Sequence, residues 1–150
     1  MSFCHLHLHS EYSLLDGLCR VPQLVRRASE IGIAALALTD HGGLWGVVPF
    51  YKECIKAGIK PIIGCEVYVV ENHRKKQGKE NPHHLVLLCE NEEGYKNLLK
   101  LVTVSHLDGF YYRPRVDKKL LSDYSRGIIA LSGCIRGEVA DLILRGELKE

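Results

Sequence analysis

The sequence predicts an α/β fold with a mainly parallel sheet, and three observations carry that prediction. Short apolar runs of strand length alternate with segments whose apolar residues recur at helical spacing. The run "IAALALTDH" is apolar until its polar close, as expected of a parallel strand covered on both faces. Potential ligand side chains collect at the ends of such runs, where α/β sheets gather their sites. The 150 residues are one domain's length. A chain of this size buries about 70% of the surface its unfolded form exposes.

The elements follow in order. Phe3 to His9 alternates polar and apolar residues and is predicted as the first strand. "VPQLVRRASEIG" is predicted as a helix. Val21, Leu24, Val25, Ala28 and Ile31 form its apolar face, Pro22 opens it and Gly32 stops it. The run ending in Thr39, Asp40 and His41 is the second strand. A helix is expected from Val47 to Ala57, with Pro49 tolerated in its first turn and Gly58 as its stop. "IKPIIG" and "EVYVV" read as two short strands, and residues 71–82 as a polar loop. "HLVLLC" is a further strand. Asn91 is the N-cap of a helix carrying Tyr95, Leu98, Leu99 and Val102. "DGFYYRPRVD" is an irregular aromatic and basic connection, and Asp117 caps a short helix through Leu121. "GIIALSG" is a strand and "RGEVADLILRG" a helix. The closing "ELKE" reads as the start of another element, so a fragment of something longer is expected.

Apolar residues make up 46% and charged residues 25%, with a net charge of +2, which is the balance of an ordinary globular domain. Any basic surface must therefore be local. The six cysteines form no CxxC pair, which excludes a readable zinc ribbon or thioredoxin motif. No signal-peptide pattern opens the chain, and no apolar run approaches the roughly 18 residues of a membrane span. Reduced cysteines, a cytoplasmic location and no membrane partner are the expectation.

"CHLHLHSEYSLLDG" places His5, His7 and His9 at every second position, hence on one face of a strand. His7, His9 and Ser10 end the first run, and Thr39, Asp40 and His41 the second. Gly64, Cys65 and Glu66 follow in the third, and Ser132, Gly133 and Cys134 close the fifth. His83 and His84 open the fourth run instead of closing it, and so fit the rim less cleanly. Imidazole, carboxylate and thiolate together suit zinc or a comparable transition metal. Each feature also has a plainer reading. A His-x-His strand is commonly a half-exposed polar face, Asp-His-Gly is good turn chemistry, and a lone Cys134 is commonly a small buried hydrophobe. Glu66 resists the plain reading, because a carboxylate inside an apolar strand needs a partner.

Six segments resemble a known family in its order: "HLHLHSEYSLLDG", "LALTDHGGLWG", "PIIGCEVYVV", "HHLVLLCEN", "GFYYRPRVDKKLL" and "ALSGCIRGEVADLIL". They look like the PHP (polymerase and histidinol phosphatase) domain found at the N-terminus of bacterial DNA polymerase III alpha subunits, from Phe3 to about Gly146. The resemblance implies a PHP-type distorted (β/α)7 barrel, here truncated before its last strands, with up to three divalent ions at one mouth. Zinc is expected first, with manganese or magnesium as alternatives. The implied ligands are His7, His9, Asp16, His41, Glu66, His84 and Cys134. Through the bound metal, His7, His9, His41 and Glu66 would carry catalysis. His5 stands where the family has Asp, and Asp40 is expected beside a ligand imidazole, holding it in place. An Asp-x-His pair that completes the family's cluster has no counterpart before Glu150.

The resemblance implies a place in a replicative DNA-directed DNA polymerase, whose polymerising aspartates lie beyond this chain. Three functions follow. The first is a metal-dependent phosphoesterase, acting as a 3′–5′ proofreading exonuclease. The second is a non-catalytic scaffold that steadies the polymerase and docks replicase subunits such as a proofreading exonuclease or a sliding clamp. The third is a phosphatase of small molecules resembling histidinol phosphatase. Arg74, Lys75, Lys76, Lys79, Arg113 and Arg115 are candidate DNA contacts, against the plainer reading of a solvated loop for residues 74–79.

Overall fold

In the computed structural model, which describes residues 3–78 and 81–147, most of the apolar runs are strands and the amphipathic segments are helices. Helix α1 (Val21–Glu30) starts at its proline and buries Val21, Val25 and Ala28. These pack on β1 (Ala35–Leu38) and on α2 (Val47–Ala57) in a cluster with Leu36, Leu38, Phe50, Cys54 and Ile59. Strand β2 (Lys60–Val70) is a single element of 11 residues where two short strands were expected. Strand β3 (His83–Cys89) leads to α3 (Glu92–Leu107), where the Asn91 side chain accepts from Gly94 N as the cap predicts. Strand β4 (Arg115–Asp117), helix α4 (Lys118–Asp123), strand β5 (Ile128–Leu131) and helix α5 (Glu138–Arg145) complete the described elements.

The sheet runs β1-β2-β3-β5, with β4 also paired to β2. Strands β1 and β4 lie parallel to β2, while β3 is antiparallel to both β2 and β5. The sheet is thus mixed, where a mainly parallel one was expected. The cause lies in residues 71–82, whose described part holds no helix. A parallel neighbour needs a crossover, usually helical, whereas a plain loop returns the chain antiparallel.

One edge of β2 is shared. β1 pairs with residues 60–63 and β4 with residues 68–70. Between them the chain after β1 keeps the same register as far as a bridge from His41 to Glu66. Glu66 N donates to Asp40 O at 3.1 Å and Gly42 N to Glu66 O at 2.8 Å. Gly42 then turns away at φ 59°, where a Cβ would meet Pro114 at 2.6 Å, so both conformation and space demand glycine.

Alternation divides the two faces of the sheet. Cys65, Val67, Val69 and Leu87 pack with Leu98 and Leu101 of α3. Ala37, Val86 and Leu88 pack with Ile62 and Leu131 on the other face. Glu66, Tyr68 and His84 lie on this second face, by the pairing of Glu66 with Val86 and of Tyr68 with His84.

The expected first strand, Phe3 to His9, is not a regular strand. Ala37 N donates to His5 O and Thr39 N to Leu8 O. The donors are two residues apart and the acceptors three, so the segment carries one residue too many, as a bulge does. Thr39 Oγ1 intercepts Leu8 N at 2.8 Å, which replaces the ladder bond there.

Candidate metal centre

Glu66 is the hub. Its residue is 1% exposed, and four imidazoles converge on its two oxygens. His7 Nε2 lies 2.5 Å and His9 Nε2 3.6 Å from Oε2. His41 Nδ1 lies 2.9 Å and His84 Nδ1 2.6 Å from Oε1. The result is two groups of three donors, His7–His9–Glu66 and His41–Glu66–His84, each with its ligand atoms within 4.8 Å of one another. One carboxylate bridges both.

Strand geometry explains the second group. His41 and Glu66 are register partners on parallel neighbours, and His84 sits diagonally across the antiparallel pair, so all three share a face. The first group comes from the irregular segment before residue 10. His9 stacks on His41 with ring centroids 4.0 Å apart, and His7 meets His9 edge-on at 4.9 Å.

The donor set fits a divalent cation. Glu66 Oε1, His41 Nδ1 and His9 Nδ1 are buried without a hydrogen-bond partner among the described residues. Two imidazole nitrogens stand within 3 Å of Oε1. Neutral imidazole nitrogens and a carboxylate sharing a small space are what zinc and its neighbours bind.

Electrostatics reinforces the hub. Burial alone would raise the Glu66 carboxyl, but the His41 contact and the His84 and His7 imidazoles outweigh it and hold it at about 2. Glu66 and then Asp16 raise His41 above its ordinary value, against burial. Burial and the neighbouring His41 push His9 down. Burial lowers His84 too, helped by His41, Arg136 and Arg113.

The two aspartates sit in different surroundings. Asp16, expected as a ligand, contacts the outer nitrogen of His41, 3.0 Å from Nε2, and belongs to neither donor group. It orients the imidazole whose other nitrogen faces Glu66. Asp40, expected beside an imidazole, is buried in the turn instead. Its Oδ1 accepts from Ser10 N, Ser10 Oγ and Ser13 Oγ, and Ser13 Oγ accepts in turn from His41 N. Asp40 thus secures the loop that delivers Asp16. Gly17 closes that loop because a Cβ there would meet Ser10 O at 1.8 Å.

Two further candidates lie apart. His5 is exposed, with its ring edge-on to Phe3 and outside both donor groups. Cys134 is exposed and outside both donor groups, and its Sγ accepts from Arg136 N at 3.4 Å in its own loop. Among the basic candidates, Arg115 is 1% exposed and donates to Gly109, His73 and Lys75 carbonyls, so it braces loops. Arg74 pairs with Asp108 at 3.5 Å, Lys75 and Lys76 are exposed, and Lys79 lies outside the described residues. Arg113 lies over the Tyr68 ring at 4.9 Å.

Tyr68 was not anticipated. It is buried beside His41 and edge-on to His84 at 5.2 Å. Its signal was present, since a residue two along from Glu66 on a strand must share its face.

Comparison with known proteins follows this geometry. The family model described as PHP domain matches residues 5–150. The chain is 50% identical over 149 residues to a DNA polymerase III subunit alpha of Chlamydia pneumoniae, covering 97% of this chain and 12% of that protein. The same protein of Borreliella burgdorferi is 51% identical over 99% of this chain and 13% of its own length. The chain thus spans about an eighth of these curated relatives. An amidohydrolase from Chromobacterium violaceum, solved with bound sulfate and no metal, matches at TM-score 0.51 and 27% identity over 69% of this chain and 33% of that one. A protein described as a metal-dependent phosphoesterase from Bifidobacterium adolescentis shares the fold at TM-score 0.51 and 17% identity, with the same coverage.

Proposed function

The chain belongs to the PHP domain family, and from that premise we propose that its centre is a metal-dependent phosphoesterase within a DNA polymerase III alpha subunit. The observation that carries the reading is Glu66, buried and shared by two pairs of imidazoles. Two divalent ions, zinc first, would be held by His7, His9 and Glu66 and by His41, Glu66 and His84. They would supply charge neutralisation and Lewis-acid polarisation at a phosphoryl group.

The chain's own residues define the rest. Glu66 stays ionised throughout the physiological range, so it offers both oxygens at all times. Asp16 fixes the orientation of the His41 ring through its outer nitrogen. Tyr68 closes the side of the centre beside His41 and His84 and keeps bulk water from that flank. His7, the most exposed of the four imidazoles, faces the solvent side from which a substrate enters.

The relatives' name supports DNA as the substrate, with 3′–5′ removal of nucleotides as the reaction and other replicase subunits as partners. The test is hydrolysis of a DNA 3′ end by the full-length polymerase subunit loaded with zinc or manganese. Activity abolished by His9→Ala and by Glu66→Ala supports the reading. Loaded protein with no such activity overturns it.

A second reading, a scaffold that docks the rest of the polymerase and its partners, is favoured by helix α5. None of its residues is buried, and Val139, Ile143 and Leu144 are each more than half exposed. A sharp loss of melting temperature on metal removal, in a full-length protein without nuclease activity, would establish that reading. Among the described residues no helix is long and apolar enough to cross a membrane.

A further inference from the structure

A cavity of about 500 Å³ adjoins the centre, lined by Asn81, His84, Arg113, Ile135, Arg136 and Asp141 among others. His84 is its common wall with the metal centre, because the same side chain reaches Glu66 at 2.6 Å. Two guanidiniums border the cavity from different parts of the chain. Arg113 comes from the turn before β4, where its charge lies over the face of Tyr68. Arg136 comes from the loop after β5, and its carbonyl accepts from His84 N at 3.0 Å, so its backbone is tied to the ligand strand. Neither guanidinium has a carboxylate partner among the described residues. The acidic group in the cavity, Asp141, is already paired with Arg145 at 3.0 Å.

We infer that this cavity is a phosphate subsite, which seats through Arg113 and Arg136 the phosphate next to the one held at the Glu66 centre. The inference rests on the phosphoesterase reading of that centre and names its substrate class. Arginine forks bind phosphate oxygens in bidentate fashion, and two forks without carboxylate partners around one cavity suit a doubly shared anion. A small phosphomonoester fills the centre and leaves the cavity without a ligand. A nucleic-acid strand fills both, because its phosphates follow one another along the backbone. The substrate class is therefore a phosphodiester chain with at least two phosphates.

Two measurements on the full-length polymerase subunit test this. The first is calorimetric titration with inorganic phosphate, without added metal. Arg113→Gln and Arg136→Gln are each expected to weaken binding about tenfold, as loss of a bidentate contact implies. The second compares two chromogenic esters in manganese: bis(p-nitrophenyl) phosphate, with one phosphate, and the p-nitrophenyl ester of a thymidine dinucleotide, with two. The preference for the two-phosphate ester, read as a ratio of kcat/KM values, should fall about tenfold in either variant, through KM. Arg113→Lys should keep part of the phosphate affinity, having the charge without the fork. Arg136 is exposed, so its variant keeps the test informative should Arg113→Gln fail to fold.

Unchanged phosphate affinity in Arg136→Gln and Arg113→Lys overturns the subsite. So does a wild-type chain that hydrolyses both esters while the variants keep its preference. If the wild type hydrolyses neither ester, the phosphoesterase reading falls instead, and the phosphate titration alone decides whether the cavity binds anions.

Discussion

The two imidazole pairs that meet at Glu66 are built by opposite means. His41 and His84 are set by strand register: one is a parallel partner of Glu66 and the other its antiparallel diagonal. Their side chains are 19% and 9% exposed. His7 and His9 ride on a segment with a surplus residue, tied by one bond from Ala37 N to His5 O and by three bonds between Leu8 and Thr39, and the His7 side chain is 32% exposed. Hydrogen-bonded register leaves a side chain little freedom to relocate, whereas an irregular segment can shift at small cost. The His41–His84 side of the centre is accordingly the rigid frame, and the His7–His9 side the adaptable one. The shared carboxylate couples them.

The largest expected effect breaks that coupling. In ion-free protein, Glu66→Gln removes a carboxylate whose folded value, about 2, lies below its ordinary 4.5. Such a group stabilises the fold fully above its unfolded value and loses that contribution as pH falls through the folded one. The stability gap between wild type and Glu66→Gln should therefore be up to about 3 kcal/mol near neutral pH and close between pH 4.5 and 2. Urea unfolding across that range reads it. His41 has the opposite sign: its raised value adds stability below 6.5 that disappears as pH rises through the folded value.

Next is the frame itself. His84→Ala opens a hole in a buried position and should cost the ion-free protein about 2–3 kcal/mol in urea unfolding. Asp16→Asn leaves the imidazole in place but loses its orienting charge. Metal affinity of the His41–His84 group should then fall about 10–100-fold by calorimetry, with the His7–His9 group unaffected. An equal loss in both groups would erase the distinction between frame and adaptable side. The smallest effect is that of His7→Ala in ion-free protein, expected within about 0.5 kcal/mol of wild type because the side chain is partly solvated and its segment irregular. A cost like that of His84→Ala would show that the first segment is as constrained as the sheet.

Particular residues show what could be read in advance. Glu66 stood out because a carboxylate in an apolar strand needs partners, and it has four. His41 followed from the end of an apolar run and His84 from the family's motifs, and register delivers both. His7 and His9 were read from strand alternation, yet the regular strand is absent. The side-chain oxygen of Thr39 takes a ladder bond there, which binary patterning does not encode. Asp16 meets the His41 ring and Asp40 a serine-lined turn, and spacing alone does not say which carboxylate goes where. The antiparallel β2–β3 pair was missed because alternation of elements was taken to mean a crossover at each step, and the described residues between 71 and 82 provide none. The match to the PHP family model and to alpha-subunit relatives bears out the resemblance drawn from the six segments.

The most direct test of the account is the number of ions held by wild type and by Glu66→Gln, counted by elemental analysis after zinc loading and dialysis. Two seats bridged by one carboxylate predict at least two zinc ions per wild-type chain and loss of both from the variant. A Glu66→Gln protein that keeps its full zinc complement would contradict the shared centre.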